Sequence, residues 1–230
     1  MKIIAVGDIH MTTENLARNK AAAEADLLIL NGDLTNYGSI SEVRQVLDQA
    51  LAVNPSLLAQ FGNLDKPEVN EYLQSLGLNL HNQARLLNNR ACLIGVGGSN
   101  FTPFGTPSEY SENELGRCAQ NAYEQARAFI DLAEPIEKIK IPLILVSHTP
   151  PYDTAVDRLA DGRSVGSTAI RSFIEAKQPD LCIAGHIHEA AGMDLIGRTR
   201  VCNPGMLRRG GWLEIIIEKS ELSVTLHHGM

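Results

Sequence analysis

The sequence predicts an α/β fold whose chain ends in antiparallel strands. Short apolar runs alternate with helical patterns through most of the 230 residues. The runs 2–7 and 27–31 are almost wholly apolar, as in strands that are covered on both faces. Near the C terminus Leu222, Val224 and Leu226 alternate with polar residues, which is typical of a half-buried antiparallel strand. The expected body is therefore a sheet with helices packed on it, followed by a hairpin.

Seven short apolar runs are predicted to form the strands of this body. Each is far shorter than a membrane span and ends in polar or turn residues. The runs are 2–7, 27–31, 56–61, 91–97, 141–147, 181–185 and 199–202. The segment 212–218 is predicted to pair with the alternating segment through a turn at 219–221, which forms the C-terminal hairpin.

Five segments are predicted to be helices: 14–25, 40–53, 66–76, 111–133 and 166–177. Pro67, followed by an acidic residue, favours the start of the third helix, and Gly77 is suited to end it. Ser111 is followed three residues later by Glu114, which is the pattern of a capping box at the start of the fourth helix.

Two long segments between these elements are predicted to be functional loops. Residues 98–110 contain two Pro, two Gly and three aromatic residues, and residues 149–165 are long and polar. Long ordered loops in compact proteins are often functional. For part of each loop, a solvated surface segment without a role is the alternative.

Charge and cysteine content exclude several classes of protein. The net charge of −7 argues against tight nucleic acid binding, which depends on cationic contacts to phosphates. A small phosphorylated substrate held by metal ions remains compatible with that charge. No two of the four cysteines have CxxC spacing, so neither a disulfide framework nor a zinc ribbon is expected.

Length and the N-terminal sequence give expectations about organisation and location. A chain of this size can bury its core as one domain, residues 1–230. The N terminus becomes polar after one short apolar run, so no signal peptide is expected. No apolar stretch approaches the length of a membrane span. We therefore expect a cytoplasmic protein without membrane contact, and the sequence is compatible with a homo-oligomer.

Potential metal ligands follow five of the predicted strands. Because ligands bind beyond the carboxyl ends of strands in open α/β sheets, these clusters are expected to meet. Imidazole and carboxylate groups are ligands of hydrolytic metal centres. For each cluster alone there is a simpler interpretation, namely a hydrogen-bonded structural His or a Gly-Asp turn. The clusters are Asp8 with His10, Asp33, Asn63, His148, and His186 with His188.

The number of donors favours two metal ions. Seven donors are too many for one tetrahedral zinc, but they suit two ions that share a carboxylate, about 3.5–4 Å apart. The other three histidines do not follow apolar strands and are assigned no role: His81, His227 and His228.

The order of the motifs GDIH, GDLTNYG, GNLD, SHTPP and GHIHE resembles that of the calcineurin-like metallophosphoesterases. The resemblance extends from residue 7 to 188 and is strongest to a small prokaryotic branch of predicted phosphoesterases. It implies a four-layer α-β-β-α sandwich with two mixed β-sheets. It also implies hydrolysis of a small phosphoester, with diesters preferred.

The resemblance further implies a dinuclear centre of Mn, Fe or Zn ions and a role for each donor. Asp33 would bridge the ions, and a water or hydroxide between them would attack phosphorus. With Asp33, the side chains of Asn63 and His148 would be the catalytic residues. One ion would be held by Asp8, His10 and His188, and the other by Asn63, His148 and His186.

One position departs from the family pattern. The family has His, the usual leaving-group acid, where this chain has Leu64, and the acidic partner of that His would be Asp65. A placed proton donor typically contributes about 10²–10⁴-fold to a rate. We therefore predict weak hydrolysis of esters with poor leaving groups, unless a residue of either long loop supplies the acid.

Four loop side chains are candidates for substrate binding. Asn100 could donate to a phosphate oxygen, and Phe104 and Tyr110 (with Phe101) could stack on an aromatic group. The alternative is that these aromatic rings only seal the loop onto the body. Arg158 could meet a phosphate, although an ion pair with a nearby Asp is the alternative.

Two other functions compete with hydrolysis of a small phosphoester. A scaffold or binding module on the same fold would explain the absence of an acid at Leu64, but an eroded site should lose its metal ligands first. A DNA-repair nuclease is opposed by the acidic charge and by the lack of a Lys/Arg cluster.

Overall fold

The computed structural model describes residues 1–229. Its strands are β1 (Lys2–Gly7), β2 (Leu27–Asn31), β3 (Leu57–Gln60), β4 (Ala84–Leu87), β5 (Ala91–Val96), β6 (Ser99–Asn100), β7 (Glu109–Tyr110), β8 (Leu143–Ser147), β9 (Leu181–Ile183), β10 (Gly192–Ile196), β11 (Thr199–Asn203), β12 (Trp212–Glu218) and β13 (Glu221–His227). Its α-helices are α1 (Glu14–Arg18), α2 (Lys20–Ala23), α3 (Ile40–Val53), α4 (Glu68–Ser75), α5 (Glu112–Glu137) and α6 (Thr168–Lys177).

Two mixed sheets form the centre of the molecule. The first has the strand order β13-β12-β1-β2-β3, and the second has the order β10-β11-β9-β8-β5-β4. Strands β1, β2 and β3 run parallel, as do β5, β8 and β9. The sheets face each other with helices outside, so the four-layer α-β-β-α sandwich is confirmed.

The apolar strands contribute side chains to two cores at once. In β1, Ile3 and Ala5 pack between the sheets, whereas Ile4 and Val6 pack against the helices. Successive side chains of a strand point to opposite faces. This explains why the run has no polar position. The four cysteines belong to these cores as buried free thiols: Cys92, Cys118, Cys182 and Cys202.

Helices cover the outer face of each sheet. Helices α1 to α4 pack on the first sheet, and α5 and α6 pack on the second. The buried face of α5 repeats at helical spacing through Leu115, Ala119, Ala122 and Ala126. Small side chains let this helix lie close to the sheet. Within residues 1–229, no helix has both the length and the apolar content that crossing a bilayer requires.

Several boundaries differ from the sequence predictions. The helix expected at 14–25 is split, because the Asn19 side chain accepts from Ala22 N and starts a new helix. Helix α5 continues to Glu137 through Pro135, beyond the predicted end. The Ser111–Glu114 capping box is present as predicted. Strands β4 and β10 were not predicted, since both are short edge strands with weak apolar alternation.

Two buried amides join the sheets close to the carboxyl ends of the strands. Asn31 Nδ2 donates to the carbonyl of Ser147 at 3.2 Å, from the first sheet to the second. Gln60 Nε2 donates to Asn31 Oδ1 at 2.7 Å and to the carbonyl of Val146 at 3.2 Å. Buried amides are costly unless they are hydrogen-bonded. These bonds therefore fix how the two sheets are aligned where the candidate site begins.

Candidate metal centre

The seven predicted donors lie together at one edge of the sandwich. Three clusters follow β1, β2 and β3 of the first sheet, and the other two follow β8 and β9 of the second. The site is therefore assembled from both sheets. The donors are Asp8, His10, Asp33, Asn63, His148, His186 and His188.

Four donors form a compact group that could hold a metal ion. One potential ligand atom from each of Asp8, His10, Asp33 and His188 lies within 4.8 Å of the others. His10 Nε2 is 3.0 Å from His188 Nε2, and His188 Nε2 is 3.3 Å from Asp8 Oδ1. Ligand bonds of about 2.0–2.2 Å place neighbouring ligands about 3.0–3.5 Å apart, so these spacings suit one coordination sphere.

A second group shares Asp33 with the first. Asn63 Oδ1 is 3.1 Å from His148 Nε2 and 2.7 Å from His186 Nδ1. His148 Nε2 is 3.5 Å from Asp33 Oδ1, whereas His10 Nε2 is 3.8 Å from Asp33 Oδ2. The two oxygens of Asp33 thus face different groups, which is the arrangement a bridging carboxylate requires.

Hydrogen bonds outside the cluster fix two of the imidazole rings. His148 Nδ1 lies 3.0 Å from the carbonyl of Asn31, and His10 Nδ1 lies 2.7 Å from Asn36 Oδ1. Both partners accept, so each Nδ1 donates a proton and each Nε2 presents its lone pair to the cluster. Sequence reasoning missed both asparagines, although Asn31 was visible as a polar end to an apolar strand.

Loop 98–110 orients the amide ligand. Asn63 Nδ2 donates to Thr106 Oγ1 at 3.0 Å, which turns Asn63 Oδ1 toward the two histidines. Thr106 Oγ1 in turn donates to Glu109 Oε1 at 2.7 Å. The loop therefore supports the centre directly. No pattern in the sequence pointed to Thr106.

The carboxyl groups carry opposite pKa shifts. Burial alone would raise the pKa of Asp8, but the hydrogen bond with His188 and the nearby imidazoles lower it to about 2. Burial and the negative charges of Asp65 and Asp8 raise the pKa of Asp33 well above its usual range. The positive charge of His188 lowers the pKa of Asp33 but does not offset these effects, so a bound cation would favour its ionised form.

Burial keeps three histidines in the form that binds metals. It lowers the pKa of His186 to about 3, and it lowers the pKa of His148 and of His10. Burial also acts on His188, but the hydrogen bond with Asp8 prevails and raises its pKa. A neutral imidazole can bind a metal ion directly, because it has no extra proton to lose first.

Two observations test whether these residues fit a metal. Asp8 Oδ2 is buried and has no hydrogen-bond partner within residues 1–229, although a carboxylate oxygen is a strong acceptor. His10 and His188 direct ring nitrogens at each other across 3.0 Å. A cation between these groups would satisfy all of them at once. The donor set of imidazoles, carboxylates and one amide fits divalent Mn, Fe or Zn.

The backbone at the centre is strained. Residues other than Gly seldom adopt positive φ, and such conformations cluster at functional sites. Five side chains around the centre extend from such backbone: Asp8 (φ 51°), His10 (φ 47°), Asp33 (φ 46°), Tyr37 (φ 60°) and His186 (φ 68°).

Two glycines leave room for the donors. A Cβ at Gly62 would collide with the Asp33 carboxylate and lie 2.7 Å from His148 Cε1. A Cβ at Gly32 would collide with the His148 ring. The bare backbone at these positions therefore allows Asp33 and His148 to approach each other.

A cavity of about 700 Å³ opens over the centre. Asp33, His186 and His188 lie on its floor, and both long loops contribute to its walls. Asn100 joins the loops, since it donates to the carbonyl of Val165 at 3.0 Å and accepts from Thr149 Oγ1 at 2.6 Å. The walls are mainly apolar and aromatic: Tyr37, Leu64, Phe101, Pro103, Phe104, Tyr152, Leu159, Val165 and Ile187.

Of the four predicted substrate contacts, the structure places two on the cavity and two elsewhere. Asn100 and Phe104 line it, and Phe104 is 82% exposed. Tyr110 packs instead against the body beside Phe61 and His81, because β7 pairs with β6 and turns it inward. Arg158 forms an ion pair with Asp153 at 2.6 Å, which is the alternative to a phosphate contact.

Leu64 lies on the cavity wall next to the centre, and its N–H donates to Asp33 Oδ1 at 2.9 Å. Asp65 is fully buried and has a structural role. It accepts from the backbone N–H groups of Gly62, Leu34 and Thr35 at 2.8–2.9 Å, and from the Thr35 hydroxyl at 2.9 Å. Asp65 therefore holds the loops of the site in place through bonds to backbone and hydroxyl groups.

His81, to which the sequence assigns no role, lies away from the centre. Because it is buried, we expect the stability of the fold to fall in acid. Gly97 N donates to His81 Nδ1 at 2.9 Å, and burial lowers the pKa of His81 from 6.5 to about 4. Between these values the unfolded chain binds more protons. Stability is therefore fully present above pH 6.5 and falls as the pH drops toward 4, by up to about 3 kcal/mol.

Urea unfolding of the metal-free protein between pH 4.5 and 7.5 measures this dependence. His81→Gln should lose less free energy of unfolding with acid than the wild type does. His228→Gln, which alters an exposed histidine, should follow the wild-type curve. Parallel curves for wild type and His81→Gln would contradict the prediction.

Comparison with known proteins agrees with these features. A model of the calcineurin-like phosphoesterase family matches residues 1–190. An uncharacterized protein of Methanocaldococcus jannaschii is 36% identical over 208 residues, which are 89% of this chain and 88% of that protein.

Solved structures share the fold at low sequence identity. TT1561 of Thermus thermophilus has a TM-score of 0.66 and 19% identity, over 97% of both chains. A dimetal phosphatase of Danio rerio has a TM-score of 0.63 and 10% identity, over 99% of this chain and 96% of that one. The motifs, the donor cluster and the family match lead to one conclusion: the chain belongs to the calcineurin-like phosphoesterase family.

Proposed function

We propose that this protein hydrolyses phosphodiesters with two divalent metal ions bound at the strand-end donors. Family membership and the four-donor group support a metal-dependent phosphoesterase. A pair of ions and a preference for diesters go beyond what family membership implies. The observation that carries it is the position of Asp33, whose two carboxylate oxygens face separate groups of donors.

The donors divide into two ligand sets around Asp33. One set would be Asp8, His10 and His188, and the other Asn63, His148 and His186, with Asp33 common to both. Bound divalent ions supply an acidified water and withdraw charge from phosphoryl oxygens. The contribution of Asn63 is a neutral oxygen, which limits the negative charge that faces an anionic substrate.

The cavity walls support a diester over a monoester. A diester carries one negative charge and two organic groups, whereas a monoester carries up to two charges and one such group. Arg163 is the one Lys or Arg among the lining residues of the described chain, and its Nε is 2.7 Å from Asp161 Oδ2. Apolar and aromatic walls suit organic groups better than a second charge.

The test uses protein whose metal content has been measured. We expect two ions per chain and faster turnover of bis(4-nitrophenyl) phosphate than of 4-nitrophenyl phosphate. Full metal loading without turnover would favour the scaffold function and contradict a hydrolase. One ion per chain would contradict the shared role of Asp33, and faster monoester turnover would contradict the diester preference.

Leu64→His should increase hydrolysis of monoesters with poor leaving groups. The side chain faces the cavity beside Asp33, so an imidazole there could protonate a leaving oxygen. Steady-state rates with phenyl phosphate should rise by up to about 10²-fold. Leu64→Gln is the matched control, because an amide can hydrogen-bond but cannot transfer the proton. An equal rise in both variants would show that polarity, and not proton transfer, is responsible.

A further inference from the structure

The wall beside Asp33 contains, next to the apolar Leu64, a side chain that can donate a proton. Tyr37 and Leu64 both line the cavity. The N–H of Tyr37 donates to the carbonyl of Leu64 at 3.1 Å, and the N–H of Leu64 donates to Asp33 Oδ1 at 2.9 Å. One residue thus separates the backbone of Tyr37 from the carboxylate at the middle of the centre. The apolar Leu64 is therefore accompanied by a phenol on the same wall.

The turn that presents Tyr37 is strained and held in place. Its φ of 60° is an outlier for a bulky aromatic residue, and such a conformation persists only where the surrounding structure holds it. Thr35, two residues earlier, donates through N–H and hydroxyl to buried Asp65, and Thr35 Oγ1 accepts from Gly38 N at 3.1 Å. Thr35, itself held by Asp65, therefore connects the residues on either side of Tyr37.

The ring of Tyr37 is not required to fill the core. It is 50% exposed, so burial does not explain why the chain holds Tyr37 in this conformation. A tyrosine hydroxyl is a hydrogen-bond donor and one of the groups that act as general acids. Strain that is retained at an open cavity wall next to a metal centre is consistent with a functional position.

We propose that Tyr37 is the proton donor to the leaving group; this inference rests on the proposed phosphodiesterase function. As the bond between phosphorus and the leaving oxygen breaks, its electron pair stays on that oxygen, which takes the proton of Tyr37 Oη. The attacking water forms the new P–O bond and loses one proton to solvent. The tyrosinate regains a proton from solvent, so the balance is one water consumed for each ester cleaved.

The experiment compares two diesters that differ only in the leaving group, methyl 4-nitrophenyl phosphate and methyl phenyl phosphate. Phenolate is the poorer leaving group and depends more on protonation. Tyr37→Phe keeps the ring and removes the hydroxyl. It should lower kcat by about 10²-fold or more for the phenyl ester and by less than about threefold for the nitrophenyl ester. Metal content and KM should stay near the wild-type values.

Tyr152→Phe is the matched control, since Tyr152 also lines the cavity and is 43% exposed. Tyr152→Phe should change kcat by the same factor for both esters. Equal losses for both esters in Tyr37→Phe, or no loss, would overturn the assignment, as would a leaving-group-dependent loss in Tyr152→Phe alone. A metal-loaded wild type that cleaves neither ester would overturn the proposed function together with this inference.

Discussion

Asp33→Asn should abolish activity and yet stabilise the metal-free protein. In the proposed two-ion centre, loss of the shared charge should reduce bound metal from two ions per chain to one or none. Because bound cations contribute several kcal/mol to transition-state stabilisation, kcat/KM should fall by about 10³-fold or more. In the metal-free protein, burial and the charges of Asp65 and Asp8 raise the pKa of Asp33, so ionised Asp33 opposes folding at neutral pH.

The sign of the stability change follows from that pKa. A carboxyl whose pKa is raised on folding costs stability increasingly as the pH rises above its ordinary value. The neutral amide removes this cost, and its oxygen can still accept from Leu64 N. Urea unfolding in the presence of a chelator should therefore give a higher midpoint for Asp33→Asn than for wild type at pH 7. The difference should disappear as the pH falls.

Asp65→Asn is the control for this prediction. Asp65 is also buried and has a raised pKa, but its two oxygens accept four hydrogen bonds. An amide nitrogen in place of one oxygen would leave buried N–H donors without partners, at a cost of about 1–3 kcal/mol. The two substitutions should therefore shift stability in opposite directions. A lower midpoint for metal-free Asp33→Asn would contradict the charge argument.

Gly62→Ala should weaken metal binding and lower activity, although it adds only one methyl group. The new Cβ would meet the carboxylate and backbone N of Asp33 and the ring of His148, none of which can move without displacing a donor. Overpacking of this kind costs about 1–3 kcal/mol, and displacement of a reacting group by about 1 Å can cost 10²-fold in rate. Metal titration calorimetry and steady-state kinetics should both show the loss.

Gly7→Ala is the matched control at a neighbouring strand end. Its Cβ would lie 3.5 Å from the carbonyl oxygen of Asn31 and 3.9 Å from Pro204 Cγ, which are ordinary contacts. We expect normal metal binding and activity in this variant. If Gly62→Ala also binds metal normally, the glycine is not needed for the approach of Asp33 and His148.

The sequence predicts that the donors lie together because short stretches of sequence determine where each strand ends. An apolar run such as 27–31 forms a strand covered on both faces, and the polar residue after it must lie at the strand end. Parallel pairing then brings successive strand ends to one edge. The positions of Asp33 and His148 at this edge can therefore be predicted without tertiary contacts. The distance between the two side chains cannot.

Contacts that depend on loop conformation could not be predicted. Thr106 reaches Asn63 only because Glu109 closes loop 98–110 on itself. Tyr110 was expected at the cavity, but the pairing of β6 with β7 directs it to the body. Asn36 and Thr106 have no periodic pattern that distinguishes them from other polar loop residues. Their roles follow from where the chain turns, which sequence spacing does not encode.

The donors come from both sheets, so metal affinity depends on how stably the two sheets pack against each other. Asp33 and Asn63 belong to one sheet and His148 and His186 to the other, with Asn31 joining the two. Separation of the sheets would pull the donors apart, so a bound metal ion would hold the two sheets together. Metal at 100 times its Kd would stabilise the closed form by about 2.7 kcal/mol. Resistance to unfolding and readiness for catalysis would then rise and fall together with the supply of metal.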